Sequence, residues 1–263
     1  MILKDERLRA EADAHPYPLL FATVSGAHLY GFPSENSDWD VRGCHLLPLS
    51  AVAGLEAGED TVKRASLRGD AEVDLVTHDA RKFLALLLRD NGYVLEQLYS
   101  PLVVLTTPEH EELKAVARGC ITRRCARHYL GFAHNQWRLW AGEEPRRVKP
   151  LLYVYRVLLT GIRLMRSGEV LASLPACNVE MGLPYIDELI ERKTAGPEHA
   201  LLDGADASFH ASEYVRLSRL LADAAASSRL PESASPGTRA ALHDLLLRVR
   251  MGEMAGVGLA CVG

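Results

Sequence analysis

Two short motifs near the N-terminus contain the residue types that chemistry at phosphorus requires. Ser25-Gly26 ends an apolar run, and Asp38-Trp39-Asp40 begins twelve positions after Gly26. On an extended strand, residues i and i+2 point to the same face, so the carboxylates of Asp38 and Asp40 are expected side by side. Paired carboxylates hold divalent cations, and two such ions about 3.5–4 Å apart stabilise in-line displacement at phosphorus. The two motifs therefore predict a phosphoryl or nucleotidyl transfer site.

Each motif has an ordinary explanation when it is taken alone. A Ser-Gly pair after a strand is a common turn, and an Asp-x-Asp pair is common at a solvated strand start. The two motifs together, joined by a turn that begins at Gly31, form a combination that chance seldom produces. In that combination, Ser25-Gly26 is expected to open a short helix, whose free N–H groups and dipole favour a phosphate.

A third carboxylate is needed to complete a two-metal clamp and to orient or deprotonate an attacking hydroxyl. Asp74 is the best candidate, because it stands between Val73 and Leu75 in a strand-like segment. A carboxylate in such a place is costly to bury without a partner, and a metal ion supplies one. Glu72 lies on the same strand face and is the alternative, since alternation does not separate i from i+2.

Several strands and turns are expected to position these residues. Strand patterns occur at residues 19–24, 38–47 and 71–77, with a weaker candidate at 62–67. Helical spacing follows at two short segments, 78–89 and 93–99, and then at 108–118, 122–140, 150–167, 185–194, 212–225 and 238–250. We therefore predict an α+β fold. An N-terminal domain at residues 1–105, with a small mixed β-sheet flanked by helices, is followed by an all-helical C-terminal domain at residues 106–263.

Composition excludes several classes of protein. The chain has 263 residues, of which 48% are hydrophobic, enough for well-packed cores. The segment from Met1 to Ala14 is rich in charge, and no run of about 18 apolar residues occurs, so no signal peptide or membrane span is predicted. The five cysteines include no CxxC pair, which favours reduced thiols over a disulfide framework. We expect a cytoplasmic protein with no membrane partner.

The formal net charge of −4 is unevenly distributed along the chain. Between Arg118 and Arg166, eleven basic residues stand against two acidic ones, a local charge of 11 − 2 = +9. A concentration of cations on one segment of an acidic chain is compatible with a nucleic-acid or nucleotide partner.

Within this basic segment, Lys149, Tyr153 and Arg156 stand at i, i+4 and i+7 on one face of a helix. Two cations and an aromatic ring in that arrangement can meet a triphosphate and a base. The alternative is a solvated helix face with Tyr153 packed at a domain interface. Arg42, directly after the carboxylate pair, is a further candidate for a phosphate contact, with a structural ion pair to a neighbouring carboxylate as the alternative.

Longer segments around these motifs resemble a known family. The residues from Phe21 to Phe32 (FATVSGAHLYGF) and from Ser37 to Gly43 (SDWDVRG) look like the active-site signature of the DNA polymerase beta type nucleotidyltransferase superfamily. More narrowly, the chain resembles bacterial nucleotidyltransferases associated with RNA repair, in the segments 72–75 (EVDL), 81–84 (RKFL), 90–101 (DNGYVLEQLYSP), 129–132 (YLGF) and 149–156 (KPLLYVYR). The likeness covers roughly residues 20 to 165.

The resemblance implies a nucleotidyltransferase catalytic domain and a metal-dependent reaction. A nucleoside monophosphate would pass from an NTP such as ATP to a hydroxyl, with release of pyrophosphate. Ser25 and Gly26 would hold the triphosphate, Asp38 and Asp40 would bind both metal ions, and Asp74 would bind the ion on the acceptor side. The family usually has Gly before Ser at the turn, whereas this chain has the reverse order.

The resemblance also implies cofactors and partners. Two Mg²⁺ ions are expected, with Mn²⁺ as the alternative ion, and the NTP is a substrate. The acceptor is expected to be RNA, either a tRNA or a broken RNA end. The alternatives are transfer to a small molecule or a protein, or a non-catalytic nucleotide-binding component of an RNA-repair complex. The sequence does not determine the oligomeric state.

Overall fold

The structure is a computed structural model that describes residues 2–56, 58–195 and 206–252. Its strands are β1 (Leu19–Val24), β2 (Trp39–His45), β3 (Thr61–Arg68), β4 (Ala71–Asp79) and β5 (Val103–Thr106). They form one five-stranded sheet in the order β3-β4-β2-β1-β5. β2 and β4 run parallel, and the other neighbouring strands are antiparallel. The sheet is therefore mixed, as predicted.

The helices lie before, between and after these strands. In the N-terminal half they are α1 (Glu6–Asp13), α2 (Gly26–Tyr30), α3 (Leu49–Ala53), α4 (Ala80–Leu87) and α5 (Gly92–Leu98). In the C-terminal half they are α6 (Pro108–Ala117), α7 (Cys125–Ala141), α8 (Val148–Ser167), α9 (Leu174–Met181), α10 (Pro184–Ala195), α11 (Ala207–Ser227) and α12 (Pro236–Arg250), with a short 3₁₀ turn at Arg118–Cys120. The α+β fold class is thus confirmed.

Buried residues alternate with more exposed ones along β4, whereas β2 is buried from Val41 to its end. Val41, Val73 and Leu75 are buried in a core that also contains side chains of α1 and β1. The intervening Asp40 and Asp74 are only half-buried. Because side chains alternate between the two faces of a strand, burial of one set of residues presents the other set on the opposite face.

The chain forms two compact units, each built from more than one segment. The first contains the described residues of Met1–Ser25, Asp38–Cys120 and Ala234–Gly263, and therefore the whole sheet. The second contains those of Gly26–Ser37 and Ile121–Ser233. The predicted domain boundary after residue 105 stays a prediction. The compact units group α6 and α12 with the sheet, and they group the segment between the two sequence motifs with the helices.

A buried ion pair fixes α12 within the first unit. Arg250, at the end of α12, donates from Nη2 to Asp79 Oδ1 at 2.6 Å and from Nη1 to the carbonyl oxygen of Leu47 at 2.5 Å. The side chains of Arg250 and Asp79 are 7% and 4% exposed. Removal of one partner from such a pair leaves a buried charge, which typically costs about 3–5 kcal/mol.

Three helices, α1, α3 and α9, fall outside the predicted elements, and α3 has only five residues. α1 begins at an N-cap, Asp5, whose side chain accepts from the backbone N–H groups of Arg7 and Leu8. α9 begins after Ser173, whose side chain accepts from Ala176 N–H. α1 and α9 have eight residues each, too short for a clear hydrophobic period to predict. Among the described helices, none has the length and apolar character needed to span a membrane.

Candidate active site

The parallel pairing of β2 with β4 places Asp40 directly opposite Asp74. The register joins Trp39 to Val73, Asp40 to Asp74 and Val41 to Leu75. Residues opposite each other on neighbouring strands project to the same face, so the two carboxylates lie side by side on one face of the sheet. Two residues that are 34 positions apart in sequence thereby meet. This register supports Asp74 as the partner carboxylate, although its catalytic role stays a prediction.

Asp38 lies one residue before β2 and is exposed. Together with Glu72 and Asp74 it lines an open groove of about 380 Å³, whose other wall is formed by β3 residues. Asp38 and Asp74 both raise the pKa of Asp40 through their negative charges, so the three carboxylates lie within electrostatic range of one another. Glu72 also lines this groove, but it precedes the residues of β4 that pair with β2, which begin at Val73.

Arg42 lies between the two paired carboxylates. Its Nη2 atom donates to Asp40 Oδ1 at 2.6 Å and to Asp74 Oδ2 at 3.0 Å. Nη1 donates to the carbonyl oxygens of Val41 at 2.9 Å and Asp74 at 2.6 Å, and Nε donates to the Tyr93 hydroxyl at 3.0 Å. Every nitrogen of this guanidinium thus has a partner in the chain. The structure contains the ion pair considered from sequence, and the phosphate contact of Arg42 stays a prediction.

Burial is the largest influence on Asp40. It raises the pKa of this carboxyl above its ordinary value, and the cation of Arg42 opposes the shift. The negative charges of Asp74 and Asp38 raise the pKa of Asp40 further. A group of carboxylates whose ionised forms are mutually unfavourable gains stability from a bound cation.

The carboxylate oxygens of this site are ligands that suit a hard divalent cation. Asp38, Asp40 and Asp74 offer carboxylate oxygens, the ligands that Mg²⁺ and Mn²⁺ take in proteins. Within residues 2–56, 58–195 and 206–252, no three His, Cys, Asp or Glu side chains are drawn together as a finished metal site. Arg42 supplies the positive charge between Asp40 and Asp74 here.

The Ser25-Gly26 turn stands at the end of β1, beside β2. The backbone N–H of Ser25 donates to the carbonyl oxygen of Asp40 at 2.7 Å, which ties the turn to the carboxylate strand. Gly26 has φ +61°, a left-handed conformation that favours glycine over any residue with a Cβ. The reversed order of Ser and Gly therefore suits this backbone. Both residues are buried, and their contact with a triphosphate stays a prediction.

The three residues predicted on one helix face are all on α8, in the second unit. Lys149 and Tyr153 are half-buried, whereas Arg156 is only 2% exposed. The guanidinium carbon of Arg156 lies 4.0 Å from the ring centroid of Tyr30. Tyr153 packs edge-on against the rings of Tyr30 and Phe32, at 5.6 and 5.7 Å. These contacts hold the segment that follows the Ser-Gly turn, and they support a positioning role for Arg156.

Two contributors to the site region have no obvious signal in the sequence. Tyr93, at the start of α5, holds Arg42. Lys193, on α10, is 2% exposed and donates from Nζ to the hydroxyls of Ser34 at 2.9 Å and Ser37 at 3.3 Å. Ser37 directly precedes Asp38 in the chain, so this contact fixes the end of the segment that leads into the carboxylate pair. A lysine within the charged run Glu191-Arg192-Lys193 is typical of an exposed helix face.

Comparisons with known proteins show which family the chain matches. A family model described as the RNA repair pathway DNA polymerase beta family matches residues 3–248 of the chain. An uncharacterised protein of Methanocaldococcus jannaschii is 31% identical over 150 residues, which cover 57% of this chain and 61% of that protein. The uncharacterised protein YcgL of Bacillus subtilis is 25% identical over 208 residues, covering 74% of this chain and 76% of that protein.

A solved structure is also similar over much of the chain. It is the crystal structure of a nucleotidyltransferase-like protein from Exiguobacterium sibiricum, and the alignment covers 94% of this chain and 77% of that one. The sequence identity is 11% and the TM-score is 0.31, values at which the likeness carries no argument about the site.

Proposed function

Because the chain belongs to the RNA repair pathway DNA polymerase beta family, we propose that it transfers a nucleoside monophosphate from an NTP to a hydroxyl at an RNA end, with release of pyrophosphate. The observation that carries this proposal is the pairing of Asp40 with Asp74 across parallel strands, with Asp38 beside them. Three carboxylates on one edge of a sheet, reached through a groove, suit the binding of a metal-bound triphosphate.

In the proposed reaction, the acceptor hydroxyl attacks the α-phosphorus of the NTP. The new O–P bond forms as the bond from the α-phosphorus to the bridging oxygen breaks, and pyrophosphate leaves. Asp74, which is 47% exposed at its side chain, lines the groove and would accept or direct the proton of the hydroxyl. Asp38, Asp40 and Asp74 would hold two divalent ions, Mg²⁺ or Mn²⁺, which supply charge stabilisation at the transferring phosphoryl group.

Arg42 has a positioning role in this proposal. Its contacts with Asp40 and Asp74 set the separation and orientation of the two carboxylates, and Tyr93 holds its Nε atom. Catalytic groups depend on such fixed geometry, because a small misplacement lowers the rate strongly.

Lys149 and Tyr153, in the second unit, are proposed to contact the nucleotide. Lys149 and Tyr153 are half-buried, so each has part of its side chain at the surface for an NTP phosphate or base. The guanidinium carbon of Arg156 lies 4.0 and 6.0 Å from the ring centroids of Tyr30 and Phe132. Arg156 would act indirectly, by fixing the segment that contains Tyr30.

Incubation with labelled nucleotides tests the proposal. The wild-type protein is mixed with Mg²⁺, each α-labelled NTP in turn and a pool of tRNA and single-stranded RNA. We expect labelled RNA with at least one NTP, and loss of labelling in Asp40→Asn. The control is Asp223→Asn, since Asp223 is an exposed carboxylate on α11.

Two results would contradict the proposal in different ways. Labelling that is the same in Asp40→Asn and in the wild type would show that the carboxylate pair is not the catalytic site. Absence of label in RNA with every NTP would overturn the RNA acceptor. Release of pyrophosphate under those conditions would then show that the nucleoside monophosphate passes to another acceptor, which is a protein, a small molecule or water.

A further inference from the structure

Helix α7 presents a basic stripe on its exposed side. Arg127, Gly131, His134 and Arg138 stand at i, i+4, i+7 and i+11, within about 60° of one another around the helix axis. All four residues are exposed. No acidic residue occurs anywhere between Glu112 and Glu143, so the stripe has no carboxylate of its own.

The two arginines of this stripe are not neutralised within the structure. Among the residues that it describes, no carboxylate forms an ion pair with Arg127 or Arg138. The nearby Arg123 and Arg124 differ, because both pair with Glu232. Exposed cations without an intramolecular partner are available to bind an anionic partner.

An aromatic stack lies beside the stripe. The ring of Trp137 is parallel to that of Tyr214 on α11, with an angle of 2° between the planes and 4.6 Å between the centroids. The Tyr214 hydroxyl lies 3.5 Å from Nδ1 of His134, which joins the stack to the stripe. Both rings are half-buried, so each keeps part of its surface in solvent. An ordered pair of rings next to cations offers a surface on which a nucleobase can stack.

Gly131 adds an independent observation. It lies in the interior of α7, where glycine typically costs about 0.5–1 kcal/mol relative to alanine. A Cβ at this position would meet no atom within 4 Å, so internal packing does not require glycine here. A bare backbone between Arg127 and His134 permits the close approach of a sugar-phosphate chain.

We propose that the stripe Arg127, Gly131, His134 and Arg138, together with the Trp137–Tyr214 stack, binds a single-stranded segment of the RNA acceptor. The arginines bind phosphates, and the rings stack with an unpaired base. This inference deepens the proposed function and rests on its RNA acceptor. A single strand fits better than a duplex, because only an unpaired base can stack on protein rings.

Fluorescence anisotropy tests this surface. It measures binding of a fluorescein-labelled single-stranded RNA of about 12 nucleotides to the 263-residue chain in the absence of NTP. The double substitution Arg127→Gln and Arg138→Gln should weaken binding about tenfold. It should also reduce the slope of log K against log salt concentration by about 1.4, from the loss of two phosphate contacts. Trp137→Leu should weaken binding about tenfold at an unchanged salt slope, and Trp137→Phe should restore most of it.

A matched control removes the same charge elsewhere in the second unit. Arg219 on α11 and Arg229 after it are exposed, and Arg219 points about 140° away from Tyr214 around the helix. Arg219→Gln with Arg229→Gln should leave affinity within about twofold of the wild type. Thermal melts of all variants confirm that each is folded.

Three outcomes would contradict the proposed binding surface. The control substitutions could weaken binding as much as the Arg127 and Arg138 substitutions, the latter could have no effect, or a blunt RNA duplex could bind as tightly as the single strand. The nucleotidyl transfer assay separates this failure from failure of the proposed function. If RNA is labelled but the substitutions leave RNA affinity unchanged, only the proposed binding surface is wrong. If the variants weaken binding as expected but no nucleoside monophosphate is transferred, the binding surface is supported and the proposed transfer reaction is wrong.

Discussion

The two compact units use arginine in opposite ways. In the first unit, Arg42 is 9% exposed, and all three nitrogens of its guanidinium donate to the chain. In the second unit, Arg127 and Arg138 are exposed on α7 and make no ion pair with any residue in the described part of the chain. A buried arginine with satisfied donors fixes the positions of its neighbours. An exposed arginine without a partner is available to a ligand, so the same residue type indicates geometry in one unit and recognition in the other.

The largest expected effect is a difference in transfer rate between substitutions of the two carboxylates of β4, Asp74 and Glu72. Asp74→Asn should lower the rate of nucleotidyl transfer roughly 100- to 1,000-fold, because Asp74 faces Asp40 in the sheet register. Glu72→Gln should stay within about threefold of the wild type, since Glu72 is exposed before that register begins. Initial rates of RNA labelling measure both. If Glu72→Gln has the larger effect, the assignment of the third carboxylate is reversed.

The second prediction compares a buried arginine with a half-buried one, each bridging two carboxylates. Arg42→Met should lower the free energy of unfolding by about 3 kcal/mol, because it leaves Asp40 and Asp74 beside each other without a counter-charge. Arg163→Met removes contacts with Glu169 and Glu180 at the surface and should cost less than about 1 kcal/mol. Urea denaturation measures both values. Equal losses would remove the distinction between the two kinds of arginine.

The third prediction uses pH to probe the buried part of the first unit. Burial lowers the pKa of His110 to about 4, well below its ordinary value of 6.5. Between these two values the unfolded chain binds more protons than the folded one, so the free energy of unfolding falls as the pH is lowered from about 6.5 to about 4. The loss from this group should reach about 1–3 kcal/mol.

His110→Gln removes this linkage and should reduce the dependence of stability on pH in that window, while His45, whose pKa burial also lowers to about 4, keeps its own contribution. The ring of His110 stacks on Phe21 at 4.3 Å, so the variant is expected to be less stable than the wild type at pH 8, and the comparison concerns the slope alone. His243→Gln is the control, since His243 is exposed on α12. An unchanged slope in His110→Gln would show that the acid sensitivity arises elsewhere.

The smallest expected effect concerns the exposed side of α7. Gly131→Ala should raise the free energy of unfolding by about 0.5–1 kcal/mol, because alanine is the better helix former and the new methyl group meets open space. The same variant should bind RNA more weakly, by about two- to fivefold, if a sugar-phosphate chain approaches the bare backbone. Thermal melts and anisotropy measure the two effects. Greater stability with unchanged affinity would assign Gly131 no part in binding.

Local features of the fold follow closely from the sequence. The apolar run that predicts a strand at 19–24 coincides with β1. Asn91-Gly92, which lies between the predicted helical segments 78–89 and 93–99, begins α5, because the Asn91 side chain accepts from the N–H groups of Tyr93 and Val94. α11 begins at Ala207, five residues before the predicted start, since its first turn lacks the apolar spacing that marks the remainder.

The sequence by itself determined the strand period that places side chains of β2 and β4 on alternate faces, and the residue types that suit chemistry at phosphorus. These features depend on neighbours within a few residues, where backbone geometry fixes the pattern. Only the tertiary structure decided that Asp74 pairs with Asp40, that Arg42 lies between them, that Arg156 is buried, and that Trp137 stacks on Tyr214. Each of these contacts depends on which distant segments pack together, and many pairings share the same local pattern.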